Sequence, residues 1–436
     1  MTSATRGCWQ AGSLLTAALL LAPVAAAQDK PSARPQEAEG SPLSLSISDD
    51  LTLVPSLQYR LRYRHHEGHD FDIGGVTDTL RHRARLGLEL MYQDRVGVMA
   101  QLQDVRFLGE ETDTVGDYSA DGLDLHQAYA ILRPWPELSL RLGRQEICFE
   151  NQRIVGAVGW LEQARSLDAL RVTYQAGGVL VDGFYSLLRE SSEGLGQAGD
   201  GEAISAKRHL AGANVHYRLL PALEPGVLVV TEHDEGQDKH QHTVGAIVTG
   251  KFIDGILSYS AEGYYQAGTG AGSIHYSSYL AAVQARATVP VSLRPYLEIG
   301  GDFLSGDDRP GDLTRRTFEV PFGTNHKFYG EMDFFLNIPV HTQERGLRDI
   351  LVAAGLAPLD GLHARVAYHF LQAMAEQEDG LMTFGHELDT FIEYKFLKHA
   401  RAKLLYAWFV PQGIMKQGIM DASLEHFVYT TAEVTF

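Results

Sequence analysis

Arginine occupies every second position in two neighbouring segments of this chain. The first is Leu57-Gln58-Tyr59-Arg60-Leu61-Arg62-Tyr63-Arg64, and the second is Leu80-Arg81-His82-Arg83-Ala84-Arg85-Leu86. Side chains alternate faces along a strand, so each segment has one cationic face and one Leu/Tyr or Leu/Ala face. Two arrangements satisfy that pattern. A soluble sheet would bury the apolar face in a core. A membrane barrel would give that face to lipid and turn the six arginines into an enclosed lumen.

The ends of the chain favour the barrel. Arg6 is the only charge before the apolar run Leu14 to Leu21, and Ala25-Ala26-Ala27 supplies a small-residue cleavage site. Such a run is too short to span a bilayer, so residues 1–27 read as an export signal. Its removal leaves Cys148 as a lone cysteine. At the other end Val428, Thr430, Ala432, Val434 and Phe436 alternate with Tyr429, Thr431, Glu433 and Thr435. A terminal aromatic closing a two-residue period resembles the assembly signal read by the barrel-assembly machinery of bacterial outer membranes.

Net charge is -18, and loss of the signal's single Arg6 makes it -19, which argues against a nucleic-acid partner. Mean hydropathy of -0.14 excludes a bundle of membrane helices. It is compatible with a barrel, because half of each barrel strand faces a polar interior.

Residues 28–50 read as an unstructured periplasmic lead-in, and 51–436 as one all-β domain. Strands of about ten residues recur, and their connections alternate in length. Short turns fall near Gln93, Glu137, Gly177, Ala222, Ile253, Ser292, Asp360 and His399. Long polar loops are expected at 66–78, 108–122, 147–166, 190–203, 233–241, 268–275, 305–345, 373–384 and 411–423. The resulting fold is a transmembrane antiparallel β-barrel of about 18 strands with both ends in the periplasm. Even parity places the strand-like stretch Phe328 to Leu336 inside the seventh long loop.

Phase then assigns the lumen. Beyond Arg60, Arg62, Arg64, Arg81, Arg83 and Arg85, the alternation turns Arg141, Arg171, Arg286, Arg294 and Arg365 inward. His363 and His369 follow, with carboxylates Glu89, Glu262, Glu298, Asp302, Glu387, Asp389 and Glu393 on the same face. Clustered cations with a few carboxylates suit an anion pore. Arginine–carboxylate bracing across the barrel is the other use of such a face.

Longer motifs add a family resemblance. Leu142-Gly143-Arg144-Gln145-Glu146, Asn151-Gln152-Arg153-Ile154-Val155-Gly156, Trp160, Arg165 and Leu167-Asp168-Ala169-Leu170-Arg171 resemble the alginate export family of outer-membrane proteins. So do Phe322-Gly323-Thr324-Asn325-His326-Lys327-Phe328-Tyr329-Gly330, Met332-Asp333-Phe334-Phe335 and Gly385-His386-Glu387-Leu388-Asp389. Cys148-Phe149-Glu150 departs from the family's commoner Tyr-Gly pair.

The resemblance implies an 18-stranded barrel with an arginine-lined lumen that passes an anionic uronate polysaccharide outward. By position it adds Arg144, Arg153 and Arg165 to that lining, although Arg144 sits off the inward phase of its strand. Thr324, Asn325, His326, Lys327, Tyr329 and Asp333 would belong to a loop folded into the channel mouth and gating it. Implied partners are the polymer or small anions, membrane lipid and lipopolysaccharide, and periplasmic polysaccharide-synthesis proteins. Neither a cofactor nor a metal is expected, and no nucleophile sits in a context that suggests an enzyme. Uptake of small sugar acids or other anions is the alternative reading.

Overall fold

The structure is a computed structural model, and it describes residues 44–69, 74–108, 122–189, 206–417 and 424–436. Twenty strands form one sheet. Two of them, Leu45–Ser48 and Thr314–Arg315, are short additions. The other eighteen are numbered here in chain order. The first nine are β1 (Leu51–His69), β2 (Gly74–Tyr92), β3 (Val96–Phe107), β4 (Leu123–Trp135), β5 (Leu138–Gln145), β6 (Leu167–Ala176), β7 (Val179–Arg189), β8 (Arg208–Tyr217) and β9 (Glu224–Asp234). The remainder are β10 (Lys239–Phe252), β11 (Leu257–Gly270), β12 (Ile274–Thr288), β13 (Tyr296–Leu304), β14 (Leu347–Leu359), β15 (Leu362–Gln372), β16 (Thr383–Leu397), β17 (Ala400–Pro411) and β18 (Glu425–Thr435).

Each strand pairs antiparallel with the next, and β18 returns to β1 with Tyr59 opposite Val434 and Arg60 opposite Glu433. Closure removes every free edge, so the backbone groups of all eighteen strands are paired around the ring. The expected phase holds. Leu57, Tyr59, Leu86, Leu88, Val98 and Leu142 point out and stay exposed, while Arg60, Arg83 and Arg141 point in and are buried. An apolar exterior over a polar interior is the inverse of a soluble protein, and lipid is the solvent it fits.

Histidine and tyrosine mark the outer end of that exterior. Tyr185, Tyr368 and Tyr406 each bond an outward histidine on a neighbouring strand, His209, His386 and His426, at 2.6–2.8 Å. Amphipathic rings belong where hydrocarbon gives way to headgroups.

The short turns fall where expected, but three of the long loops are not long. The strands β1 and β2 run on to His69 and from Gly74, β9 and β10 are joined through Glu235–Gln237, and β11 and β12 through Ala271–Ser273. Polar side chains at 66–78, 233–241 and 268–275 had suggested loops. A hairpin can extend past the membrane with polar residues on both faces, because ladder bonds need no apolar side chain. The lead-in also differs at its end, where Leu45 pairs with Leu53 as a strand folded back on β1. The signal and most of the lead-in lie outside the described residues. The expectation that loss of residues 1–27 leaves Cys148 lone involves Cys8, which lies outside the described residues.

Two connections fill the barrel. The third loop spans 146–166 between β5 and β6, and the seventh spans 305–346 between β13 and β14. Phe318, Tyr329, Phe334 and Phe335 of the seventh loop are buried against Leu210, Leu304, Leu347, Phe384, Phe409 and Phe427 of the wall. Each such side chain is worth about 1.5–3 kcal/mol of burial. The seventh loop is therefore the hydrophobic core of a barrel whose own strands supply only half of one.

Candidate functional site: a two-loop plug on an arginine ladder

The register of β1 and β2 sets Arg60 opposite Arg83 and Arg62 opposite Arg81. Like charges placed directly across a ladder repel, so the inward face requires an anion or an array of carbonyls. The third loop brings both. Glu162 accepts from Arg60 Nε at 3.0 Å and from Arg62 Nη1 at 2.8 Å, and its second contact with Arg60 is closer still. The carbonyls of Gly159, Trp160 and Leu161 take further bonds from Arg60 at 2.9–3.1 Å. Arg83 donates to Gly159, Leu161 and Glu162 carbonyls, each at 3.3 Å. One strand step away, Arg85 holds Glu146 at 3.1 Å, and His126 shares the same carboxylate oxygen at 2.7 Å.

Arg60 and Arg83 are 0% exposed and Arg62 is 3% exposed. The core of the ladder does not line open lumen: it anchors the third loop. Burial works against an ionised Glu162, yet Arg60 and Arg62 outweigh it and hold its pKa below the ordinary carboxylate range. Arg64 and Arg81, nearer the outer end, lie against the rings of Phe427 and Phe107 at 5.1 and 4.2 Å.

The two loops are then fastened to each other. Gly156 N donates to Phe322 O at 2.8 Å and Thr324 N to Gln152 O at 2.9 Å. The Thr324 hydroxyl accepts from Val158 N at 3.2 Å, and Lys327 donates to Asn151 O at 3.0 Å. Asn325 closes its own loop onto Leu336 O at 2.5 Å.

At the centre Trp160 lies between two cations. The Arg62 guanidinium sits 3.7 Å over its ring, and the His326 imidazole stacks on it at 3.7 Å with a 9° interplanar angle. Asp333 accepts from Trp160 Nε1 at 2.9 Å and contacts His326 Nδ1 at 2.5 Å. Glu331 completes the cluster, with His326 Nε2 at 3.4 Å, Lys403 at 3.1 Å and the Tyr429 hydroxyl at 3.0 Å. Replacing Trp160 with Ala removes the cation–π contact, the stack and the bond to Asp333 together. We expect a loss of about 2–4 kcal/mol in plug stability, read as faster hydrogen exchange across 324–333 with the barrel intact.

Other predicted residues fall into three groups. Arg153, Arg171, Arg286 and Arg365 reach the interior but are braced. Arg153 spans Glu262 at 2.7 Å and Asp302 at 3.0 Å, with Tyr329 OH at 3.2 Å. Arg171 pairs with Asp182, and Arg286 and Arg365 share Glu298. Glu387 and Asp389, expected to face arginines, do not pair with one. Glu387 accepts Met332 N of the plug at 2.9 Å, and Asp389 lies 3.6 Å from His369. Glu89 is inward and buried as expected.

Arg144 is a correction. It shares the outward phase of Leu142 and lies on the outer face between Asp124 at 3.8 Å and Asp168 at 3.7 Å. No bulge reverses it, since the ladder runs unbroken from Leu138 to Gln145. Arg294 is also off the lumen, in the turn before β13 beside Asp360 at 3.1 Å.

Arg141, Lys327 and Arg165 show contacts other than to a carboxylate. Arg141 lies 5.5 Å from the Tyr129 ring. Lys327 meets the Asn151 carbonyl, and burial lowers its pKa to about 8. Arg165 donates only to Gly156 O at 3.4 Å and Pro321 O at 3.1 Å, and burial with the nearby Arg208 lowers it to about 10. Arg165 borders a cavity of about 520 Å³ between the loops, shared with Trp160, Arg315, Asn325, His326 and Val340. Glu162 had no sequence signal, and Glu146 and Trp160 entered only through the family motifs with no role assigned, because loops carry no phase.

A closed barrel with an apolar exterior, short turns at one end and plugging loops from the other is an outer-membrane barrel of the porin type, and its place is the bacterial outer membrane. The chain belongs to the alginate export family, whose model matches residues 54–423. Among curated proteins none matches it. Solved structures resemble its fold. Pseudomonas aeruginosa OccK8 (OprE) is 13% identical with a TM-score of 0.59, covering 88% of this chain and 98% of its own. Acinetobacter baumannii OccAB1 is 12% identical at a TM-score of 0.59, covering 88% and 96%. The outer membrane protein OpdK of Pseudomonas aeruginosa is 14% identical at 0.56, covering 88% and 98%. At such identity the likeness is one of architecture alone.

Proposed function

We propose that this barrel is an anion-selective channel for export of a carboxylated, uronate-type polysaccharide, with the plug as its gate. The family supports the substrate class, and Arg165 is the observation that carries the reading. A guanidinium at the wall of the vestibule between the loops, bonded only to carbonyls, gains a charge-assisted partner whenever a carboxylate passes. Lys327 and Arg141 offer further positive charge. The inner part of the ladder, by contrast, is already engaged by Glu162, Glu146 and the carbonyls of the third loop, and contributes by holding the plug. Synthesis machinery in the periplasm would supply the driving force, and catalysis has no part in this reading.

The second reading is uptake of small sugar acids or other anions. The aromatic packing of the seventh loop inside the barrel favours it, since a filled interior passes small solutes more readily than a polymer.

Single-channel recording in planar bilayers tests both. Wild type should be anion-selective, and Arg165→Ala/Lys327→Ala should move its reversal potential toward zero. Cation selectivity in the wild type, or selectivity untouched by the double change, would sink the anion reading. Oligouronates that block current with a dependence on chain length support the polymer; block by monomeric sugar acids alone supports uptake.

A further inference from the structure

Three histidines stand in one row on the outside of the barrel. His209 of β8 is directly opposite His233 of β9, and His233 is directly opposite His240 of β10. The exposed outward residues Val215, Val227, Val229 and Val244 fix their phase, so the row faces away from the lumen. Its level is also fixed. His233 is the next-to-last residue of β9 and His240 the second of β10, beside the tight Glu235–Gln237 connection. The row therefore sits at the outer rim, where water and lipid headgroups meet.

Elsewhere on this rim histidine pairs with tyrosine. Here the imidazoles meet one another. The rings of His233 and His240 have centroids 4.0 Å apart, with Nδ1 facing Nδ1 at 2.7 Å. The His209 ring is 5.9 Å from that of His233 and has its Nδ1 bonded to the Tyr185 hydroxyl at 2.6 Å. Two nitrogens at that separation share one proton, so at least one presents a lone pair to the other. At this end of the same strands Arg208, Glu232, Asp234 and Lys239 face inward and pair with each other, while the outward His242 contacts the Thr231 hydroxyl at 3.0 Å. Glu235 in the turn accepts Lys207 N at 2.9 Å.

We infer that the His209–His233–His240 row is a binding site for a borderline divalent transition ion such as Zn2+ or Cu2+. Imidazole is the preferred ligand of these ions, and Zn–N bonds are about 2.0–2.1 Å. Two nitrogens on a tetrahedral ion stand roughly 3.3 Å apart, so the facing pair needs only a small opening of its rings. Among the described residues no three such side chains are already gathered around a metal position. The row supplies two nitrogens face to face and a third one strand away, with water for the remaining position. Binding is a simple exchange: the metal takes both Nδ1 lone pairs and the shared proton leaves to solvent. Affinity therefore rises with pH as the imidazoles lose protons. An anion is the poorer occupant, because it requires protonated rings and the facing nitrogens oppose full protonation.

The test uses the full chain in detergent micelles, titrated with Zn2+ by calorimetry and with Cu2+ by electron paramagnetic resonance. Wild type should take one strongly bound ion, show coupling to two or three nitrogens, and release protons. His233→Ala and His240→Ala should each weaken binding by more than about tenfold, since even loss of an outer-shell partner costs that much. His65→Ala, an exterior histidine bonded to Asp78, should leave it unchanged. All of these positions are outside the packed interior, and circular dichroism confirms the barrel in each variant. Binding unchanged in His233→Ala/His240→Ala, or weakened equally by His65→Ala, overturns the assignment.

Discussion

Replacing Glu162 with Gln is expected to open the channel. The change keeps the shape of the side chain and removes a carboxylate that faces both Arg60 and Arg62. Those guanidiniums are buried beside Arg83, across a ladder that already sets arginine against arginine. Breaking a buried pair while leaving its partner charged costs about 3–5 kcal/mol. The backbone carbonyls of Gly159, Trp160 and Leu161 cannot replace the lost negative charge, so the third loop should leave the wall. The barrel should persist, because its ladder bonds do not pass through that loop. Conductance should rise several-fold, and anion selectivity should increase as Arg60 and Arg62 become available to passing ions. Bilayer recording measures both, and hydrogen exchange at 159–162 reports release of the loop. Wild-type conductance together with intact protection there would show that the ladder does not hold the plug.

The second large effect is on pH. His326 is held between Asp333 and Glu331. Burial opposes its protonation, yet the two carboxylates outweigh burial and raise its pKa above the usual 6.5. A group with a raised folded value stabilises fully below its unfolded pKa, and that contribution is lost as pH rises through the folded one. The seventh loop should therefore loosen on the alkaline side, above 6.5 and through the raised value. Glu331 has the opposite sign. Burial would raise it, but Lys403 and His326 bring it below its usual 4.5. Its contribution is present above 4.5 and is lost as pH falls through the lowered value. The plug should be tightest between about 4.5 and 6.5. His326→Gln keeps a hydrogen bond without titrating, so it should flatten the alkaline limb of conductance against pH. An alkaline limb of wild-type size in that variant would assign the opening to another group.

The anion reading depends on which arginines remain available, and this is where periodicity stopped. Alternation at Leu57 to Arg64 and Leu80 to Leu86 correctly placed all six ladder residues on the inner face. It could not say what else would reach that face. Bracing and conduction were both open uses of the ladder, and the structure shows bracing for Arg60, Arg62, Arg83 and Arg85. Arg144 illustrates the same limit from the other side. The motif around it pointed inward, its strand phase pointed outward, and the phase was right.

Strand phase is a local property. It follows from the two-residue repeat of the backbone, so the sequence by itself determined eighteen strands, their closure, the lipid face at Leu86 and Leu88, and the lumen face at Arg83 and Arg171. Even the place of Phe328 to Leu336 within the seventh loop followed from parity. Which loops entered the barrel was a contest between distant parts of the chain. Glu162 meets Arg60 across 102 residues, and Trp160 meets Asp333 across 173. No repeat encodes such contacts, because they are set by the shape and charge left inside a ring that exists only once it has closed. The strands wrote the vessel, and the tertiary structure alone decided that its arginines would hold a stopper.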